Sequence, residues 1–245
     1  MRICFDSAAE TYDKTRGLPE PVMSLLVKRM SKELKNCQYL LDVGVGTGRF
    51  AKPLQEIGFD VVGVDLSGKM LVKAGEKGMK DLLRCDICSL PLNDKSFDAS
   101  LCIHVLHLIS DWRLALKEIC RVTKRVMLTT IHVREDPIRQ TYNTLLSNLG
   151  YERIRPGKDE WELQDFVKPR KSVFAAFYSN EADEHLDNLA QRAFTSQWHI
   201  PEHINRNIVS ELRKQFAGKT FRQELRVLIW DINDLETAVL ASQKT

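Results

Sequence analysis

The run Leu40-Leu41-Asp42-Val43-Gly44-Val45-Gly46-Thr47-Gly48 ends an apolar stretch in an acid and then three alternating glycines. Tyr39 to Val43 reads as a buried strand and Thr47 to Ile57 as a helix, so Gly44, Gly46 and Gly48 fall in a tight strand-to-helix turn. Glycine tolerates positive φ and lets a ligand meet bare backbone, while a helix N-terminus adds free N–H donors. The spacing differs from the G-x-G-x-x-G of dinucleotide sites. A carboxylate at Asp42 would repel a pyrophosphate and attract an ammonium group, which favours an amino-acid-like ligand over a nicotinamide dinucleotide.

A second acid, Asp65, closes the strand Phe59 to Asp65, about 20 residues beyond the glycines, where a doubly wound sheet presents a carboxylate to ribose hydroxyls. Its two oxygens match the two donors of a vicinal diol. His104 and His107 follow the strand Phe97 to Ile103, close to the carboxyl ends where such sheets bind ligands. An imidazole there can take a proton from a hydroxyl or amine nucleophile, and His107 is the candidate catalytic base; the plain alternative is a hydrogen-bonded wall residue. Cys85 and Cys88 form a C-x-x-C, but structural zinc needs four ligands and no second close Cys or His pair is evident, so no metal site is expected.

Hydrophobic periodicity supplies the scaffold for these groups. At the N-terminus, Asp6 or Ser7 can cap a short helix with Phe5, Ala8, Ala9 and Tyr12 on one side, and Pro21 to Leu34 is an amphipathic helix. Ser67 caps a helix from Gly68 to Glu76, and Asp111 and Trp112 open another to Val122. With strands at Lys80 to Cys85 and Arg125 to Ile131, the alternation predicts an α/β fold with a doubly wound, mostly parallel sheet. Ile138 to Leu149 reads as a helix ending at Gly150. Lys171 to Tyr178 and Phe221 to Trp230 are strand candidates forming a closing hairpin-like pair, with helices Asp183 to Phe194 and Pro201 to Phe216 inserted before the last strand. That insertion would project over the substrate side, where Trp161, Phe174, Phe177, Tyr178, Phe194, Trp198 and His199 could line an organic pocket.

The glycine turn, Val62-Gly63-Val64-Asp65-Leu66-Ser67 with Met70, Asp86 to Leu92, and Ser96-Phe97-Asp98 together resemble the class I S-adenosylmethionine-dependent methyltransferases. The resemblance is greatest to the small-molecule branch that includes the ubiquinone/menaquinone methyltransferases, and it covers about residues 1 to 132. It implies a Rossmann-like seven-stranded sheet, S-adenosylmethionine as cofactor and S-adenosylhomocysteine as product. It further implies a lid at 1–36, a cofactor-binding core at 37–135, and a C-terminal part at 136–245 that completes the sheet and caps the substrate, all in one structural domain. By this resemblance Tyr12 and Arg16 reach the methionine end, with Arg16 pairing with its carboxylate. Asp42, Gly44, Gly46, Gly48, Asp65, Leu66 and Ile103 line the cofactor, Met70 lies near its base, Asp86 accepts from the adenine amino group, and Ile87 packs on the ring.

The implied reaction is direct, in-line transfer of a methyl group to a small organic acceptor. The chain lacks the Asn/Asp-Pro-Pro-aromatic pattern of nucleobase amino methylation and a Pro-Cys nucleophile. With 245 residues and a net charge of +3 of well-mixed sign, nothing marks a nucleic-acid stripe, and an RNA methyltransferase is the weaker alternative. A non-catalytic cofactor-binding or interaction protein is the other. No apolar run is long enough to span a bilayer. The six cysteines, Cys4, Cys37, Cys85, Cys88, Cys102 and Cys120, lie in elements rather than framing loops, so reduced thiols and a cytoplasmic location are expected. The oligomeric state is left open.

Overall fold

A computed structural model describes residues 5–133, 136–152 and 156–242. In chain order it holds α1 (Tyr12–Arg16), α2 (Glu20–Glu33), β1 (Tyr39–Val43), α3 (Ala51–Glu56), β2 (Asp60–Asp65), α4 (Gly68–Glu76), β3 (Asp81–Arg84) and β4 (Phe97–Leu101). There follow α5 (Trp112–Val122), β5 (Thr123–His132), α6 (Pro137–Asn148), α7 (Glu160–Phe166), β6 (Lys171–Glu181), α8 (Ala182–Ala190), α9 (Glu202–Phe216), β7 (Thr220–Asp231) and α10 (Ile232–Ser242).

The seven strands form one sheet in the order β3-β2-β1-β4-β5-β7-β6. The first five are parallel, and β7 runs antiparallel between β5 and β6. The sheet is therefore mixed but mostly parallel, and its order reverses between β1 and β4, the switch point where such sheets bind ligands. Every residue of β1 after Tyr39 is buried, as expected of a central strand covered on both faces. Alternate side chains go to opposite layers: Leu41, Met127 and Leu228 join α5 and α10, whereas Leu40, Leu128 and Val227 join α2 and α3. On α5, Trp112, Ala115, Leu116, Ile119 and Cys120 are buried at helical spacing, so one face docks on the sheet.

The helical cap has a core of its own. Ile138, Tyr142 and Leu146 of α6 meet Leu186 and Leu189 of α8 and Ile208, Leu212 and Phe216 of α9. A buried polar knot locks it: Asn205 Oδ1 accepts from the Tyr142 hydroxyl (2.6 Å) and Gln197 Nε2 (2.7 Å), and Asn205 Nδ2 donates to the Leu189 carbonyl (3.0 Å). The insertion before the last strand is thus present, and β6 and β7 are neighbours joined through α8 and α9 rather than by a hairpin.

Three local expectations are corrected. The helix after the glycine turn begins at Ala51, not Thr47, because Gly46 and Gly48 hold positive φ (55° and 77°), which an α-helix excludes. The N-terminal helix is only Tyr12–Arg16, since Asp6 accepts from the Ser67 hydroxyl and the Lys69 N–H at the start of α4 rather than capping its own segment. Two helices, α7 and α10, have no counterpart among the elements expected from periodicity. Cys37, Cys85, Cys88, Cys102 and Cys120 are free thiols, and Cys4 lies outside the described residues. Among the described residues no helix is long and apolar enough to cross a membrane.

Candidate active site

A cavity of about 1200 Å³ opens at the carboxyl ends of β1 to β5, between the sheet, the N-terminal segment and the cap helices. Its floor is the glycine turn. The N–H groups of Gly44 and Val45 donate to the Val64 carbonyl (2.8 and 2.9 Å), which pins the turn to β2. Gly44 holds φ of 74°, and a Cβ there would run into the Val105 side chain. Gly46 donates its N–H to Asp65 Oδ2 (2.9 Å), and Ser67 N–H donates to Asp65 Oδ1 (2.8 Å). Burial raises the Asp65 carboxyl above the usual range against these bonds.

Gly44, Gly46, Asp65, Leu66, Met70, Asp86, Ile87 and Ile103 share this cavity with Tyr12, Arg16 and His107. Asp42 and Gly48 stand behind its wall. A Cβ on Gly48 would approach Met79 Cγ to 3.2 Å, and Asp42 is 3% exposed. Burial, and then the charge of Asp65, push the Asp42 carboxyl up to about 7, with Arg49 opposing. Arg16 turns toward the cap, donating to the Ala193 carbonyl (2.7 Å) with its guanidinium 4.6 Å from the Phe194 ring centroid. The N-terminal segment is fastened by the Thr47 hydroxyl, which donates to Asp13 Oδ1 (2.6 Å), and by the Lys77–Asp13 ion pair (2.6 Å).

Past β4 the backbone turns sharply, and His104 sits at φ of 57°, a strained conformation for a non-glycine residue. Glu160, the first residue of α7, compensates. Its Oε1 accepts from the His104 N–H (2.8 Å) and lies 3.2 Å from His104 Nδ1. Burial alone would raise the Glu160 carboxyl, but His104 and then His107 hold it at about 2. The His107 carbonyl accepts from Gly157 N–H (3.2 Å), tying the same loop to the segment before α7. At the end of β5, His132 Nδ1 and the Tyr178 hydroxyl are 3.1 Å apart. Burial, followed by the charges of His104 and Arg139, pushes His132 down to about 4, so it is neutral.

Residues 41–126 match the family model described as a methyltransferase domain. That segment is a methyltransferase domain. A demethylmenaquinone methyltransferase of Renibacterium salmoninarum is 32% identical over 58% of this chain and 63% of its own length, so the chain spans less than two thirds of that relative. The ubiquinone biosynthesis O-methyltransferase of Pelagibacter ubique is 24% identical over 77% of this chain and 79% of its own. The crystal structure of the YcgJ protein of Bacillus subtilis shares the fold, with a TM-score of 0.56 at 21% identity, covering 87% of this chain and 98% of that one.

Beyond the segment matched by the methyltransferase domain, the expected aromatic lining is present only in part. Trp161, Tyr178 and Phe194 line the cavity. Phe174 and Phe177 instead stack on each other, 4.8 Å between centroids, exposed on β6. Trp198 packs on Phe5 and donates to the Arg192 carbonyl, and His199 bonds the Glu152 carbonyl. Glu160, His132, Arg49, Arg139 and the Asp136–His185 pair (2.6 Å) join the lining without any signal in the motifs. Asp159-x-x-Glu162 is a readable capping box that announces α7 and places Glu160 in its first turn.

Proposed function

We propose that the protein transfers a methyl group from S-adenosylmethionine to a small organic acceptor held beneath the cap. The observation that carries this reading is one continuous cavity lined by the glycine turn and Asp65 and also by histidine and arginine side chains of the strand ends, the N-terminal segment and the cap. The residues present fit the cofactor. Asp65 offers two oxygens to a diol, Gly44 and Gly46 leave space that a Cβ would fill or strain, and Leu66, Met70, Ile87 and Ile103 supply an apolar slot with Asp86 at its rim. Arg16 and Tyr12 line the same cavity and would hold the methionine carboxylate, while the buried Asp42 would act on its ammonium through space.

When bound, S-adenosylmethionine supplies a methyl already activated on a sulfonium, so the chain has to orient, exclude water and accept a proton. α1 and the cap close over the cavity and keep water from the nucleophile. The proton-accepting role expected of His107 falls more naturally to His104. Glu160 beside Nδ1 holds one tautomer and leaves Nε2 as the basic nitrogen. The Asp65→Ala variant is the control for the first test, calorimetric titration with S-adenosylmethionine, S-adenosylhomocysteine and NAD. Binding of the first two, weakened about a hundredfold or more in the variant as two charge-assisted bonds are lost, with no NAD binding, is the expected result. Binding of NAD alone, or of none, overturns the reading.

A further inference from the structure

More arginines line the cavity than the cofactor's carboxylate requires. Arg16 of α1, Arg49 of the turn before α3 and Arg139 of α6 come from three distant stretches of chain to one wall. Two of these guanidiniums share a ring: Arg16 and Arg139 lie 4.6 and 5.2 Å from the Phe194 centroid. Arg49 donates to the Arg16 main-chain carbonyl and lies 4.6 Å from the Phe50 centroid. Like charges gathered in a partly buried space repel. Burial and then Arg139 and Arg49, partly offset by Tyr12, bring Arg16 down to about 10.

Two further features make this wall a receiver of negative charge. The Nε atoms of Arg16 and Arg49 are buried donors with no hydrogen-bond partner. Arg139 stands in the first turn of α6, where the partial positive charge of the helix end adds to its own. Asp136, Glu160, Glu181 and Glu184 share the lining. Asp136 caps α6 and pairs with His185 as well as feeling the Arg139 charge, and Glu160 holds His104, while Glu181 and Glu184 are exposed to solvent.

We propose that the methyl acceptor carries an anionic group, a carboxylate or a phosphate monoester, gripped by Arg139 together with Arg49, with Arg16 left to the cofactor. The inference rests on the methyl-transfer reading. A guanidinium fork matches either anion through two parallel N–H donors, and the Phe194 ring, its centroid 5.2 Å from the Arg139 guanidinium, helps to position that fork. The anion would thereby hold the reacting end of the acceptor toward His104 and the methyl.

The test is calorimetry on protein saturated with S-adenosylhomocysteine, titrated with benzoate, phenyl phosphate and neutral benzyl alcohol as probes. One of the anions binds at least about tenfold more tightly than the alcohol, and which one it is separates carboxylate from phosphate. Arg139→Gln erases that preference and Arg139→Lys keeps part of it, while both retain S-adenosylhomocysteine affinity within about twofold. Equal binding of the alcohol and both anions, or an undiminished preference in Arg139→Gln, overturns the proposal. Failure of S-adenosylhomocysteine itself to bind overturns the methyl-transfer reading instead, so the two failures are distinct.

Discussion

Asp42 is a carboxylate that the unliganded fold holds at a cost. It is 3% exposed at the end of the central strand, with Asp65 nearby, and its carboxyl rises from 3.8 to about 7. At about 1.4 kcal/mol per pH unit, that rise corresponds to about 4 kcal/mol. The native state keeps its proton up to about 7 while the unfolded chain releases it at 3.8, so between those values folding is progressively weakened as pH rises, and above them the penalty is constant. Asp42→Asn keeps the shape and removes the charge. Urea unfolding without cofactor should show the variant more stable by about 4 kcal/mol near pH ~8 and by about 2 kcal/mol near pH ~5. The same variant should bind S-adenosylhomocysteine about tenfold more weakly, because the ammonium loses a buried negative field. Stability that falls in the variant, or a difference that does not grow with pH, would refute the account of Asp42 as a charge retained for a ligand.

Glu160 gives the opposite sign. Its carboxyl is depressed from 4.5 to about 2, so its stabilising contribution is complete above 4.5 and is lost as pH falls through about 2. Glu160→Gln should therefore cost up to about 3 kcal/mol at neutral pH, with the deficit shrinking in acid, and two-bond proton–nitrogen spectra should show His104 passing from one tautomer to a mixture. In the cap, Asn205→Ala leaves the Tyr142 hydroxyl and one Gln197 donor buried without their acceptor, a loss of about 2 to 4 kcal/mol. Hydrogen exchange should then accelerate in α6, α8 and α9 while β1 and β4 stay protected, since the cap core is separate from the sheet.

The parts legible in the sequence are those whose signal is local. Strand β1, the glycine turn and Asp65 follow from a short apolar run, residues able to take positive φ, and an acid one βα unit later. The Ser67 cap on α4 is local in the same way, its hydroxyl accepting from Met70 N–H three residues on (3.2 Å). What failed depended on partners far along the chain. Asp6 has the type and position of a helix cap, yet its acceptor oxygen is claimed by Ser67, 61 residues away. Arg16 lines the cavity as its type led one to expect, but the hydrogen bond that seats it goes to Ala193, 177 residues away, a partner no local signal announces. The aromatics of β6 alternate by register, so Tyr178 faces the cavity while Phe174 and Phe177, displaced by the irregularity between Phe174 and Ala176, stack outside it.

His104 and His107 make the limit plain. Both are histidines after the same strand, three residues apart, and the sequence reading puts His107 forward. Glu160 distinguishes them, 56 residues from His104 in sequence, brought there because Asp159 and Glu162 start α7 at that point. The contact explains the backbone as well as the chemistry. A non-glycine residue at φ of 57° persists only when surrounding bonds over-determine it, and one carboxylate oxygen here holds both the main-chain N–H and the ring of the same residue. The strained turn and the carboxylate beside the imidazole are one arrangement, and α7, which no apolar periodicity announces, is the element that makes it.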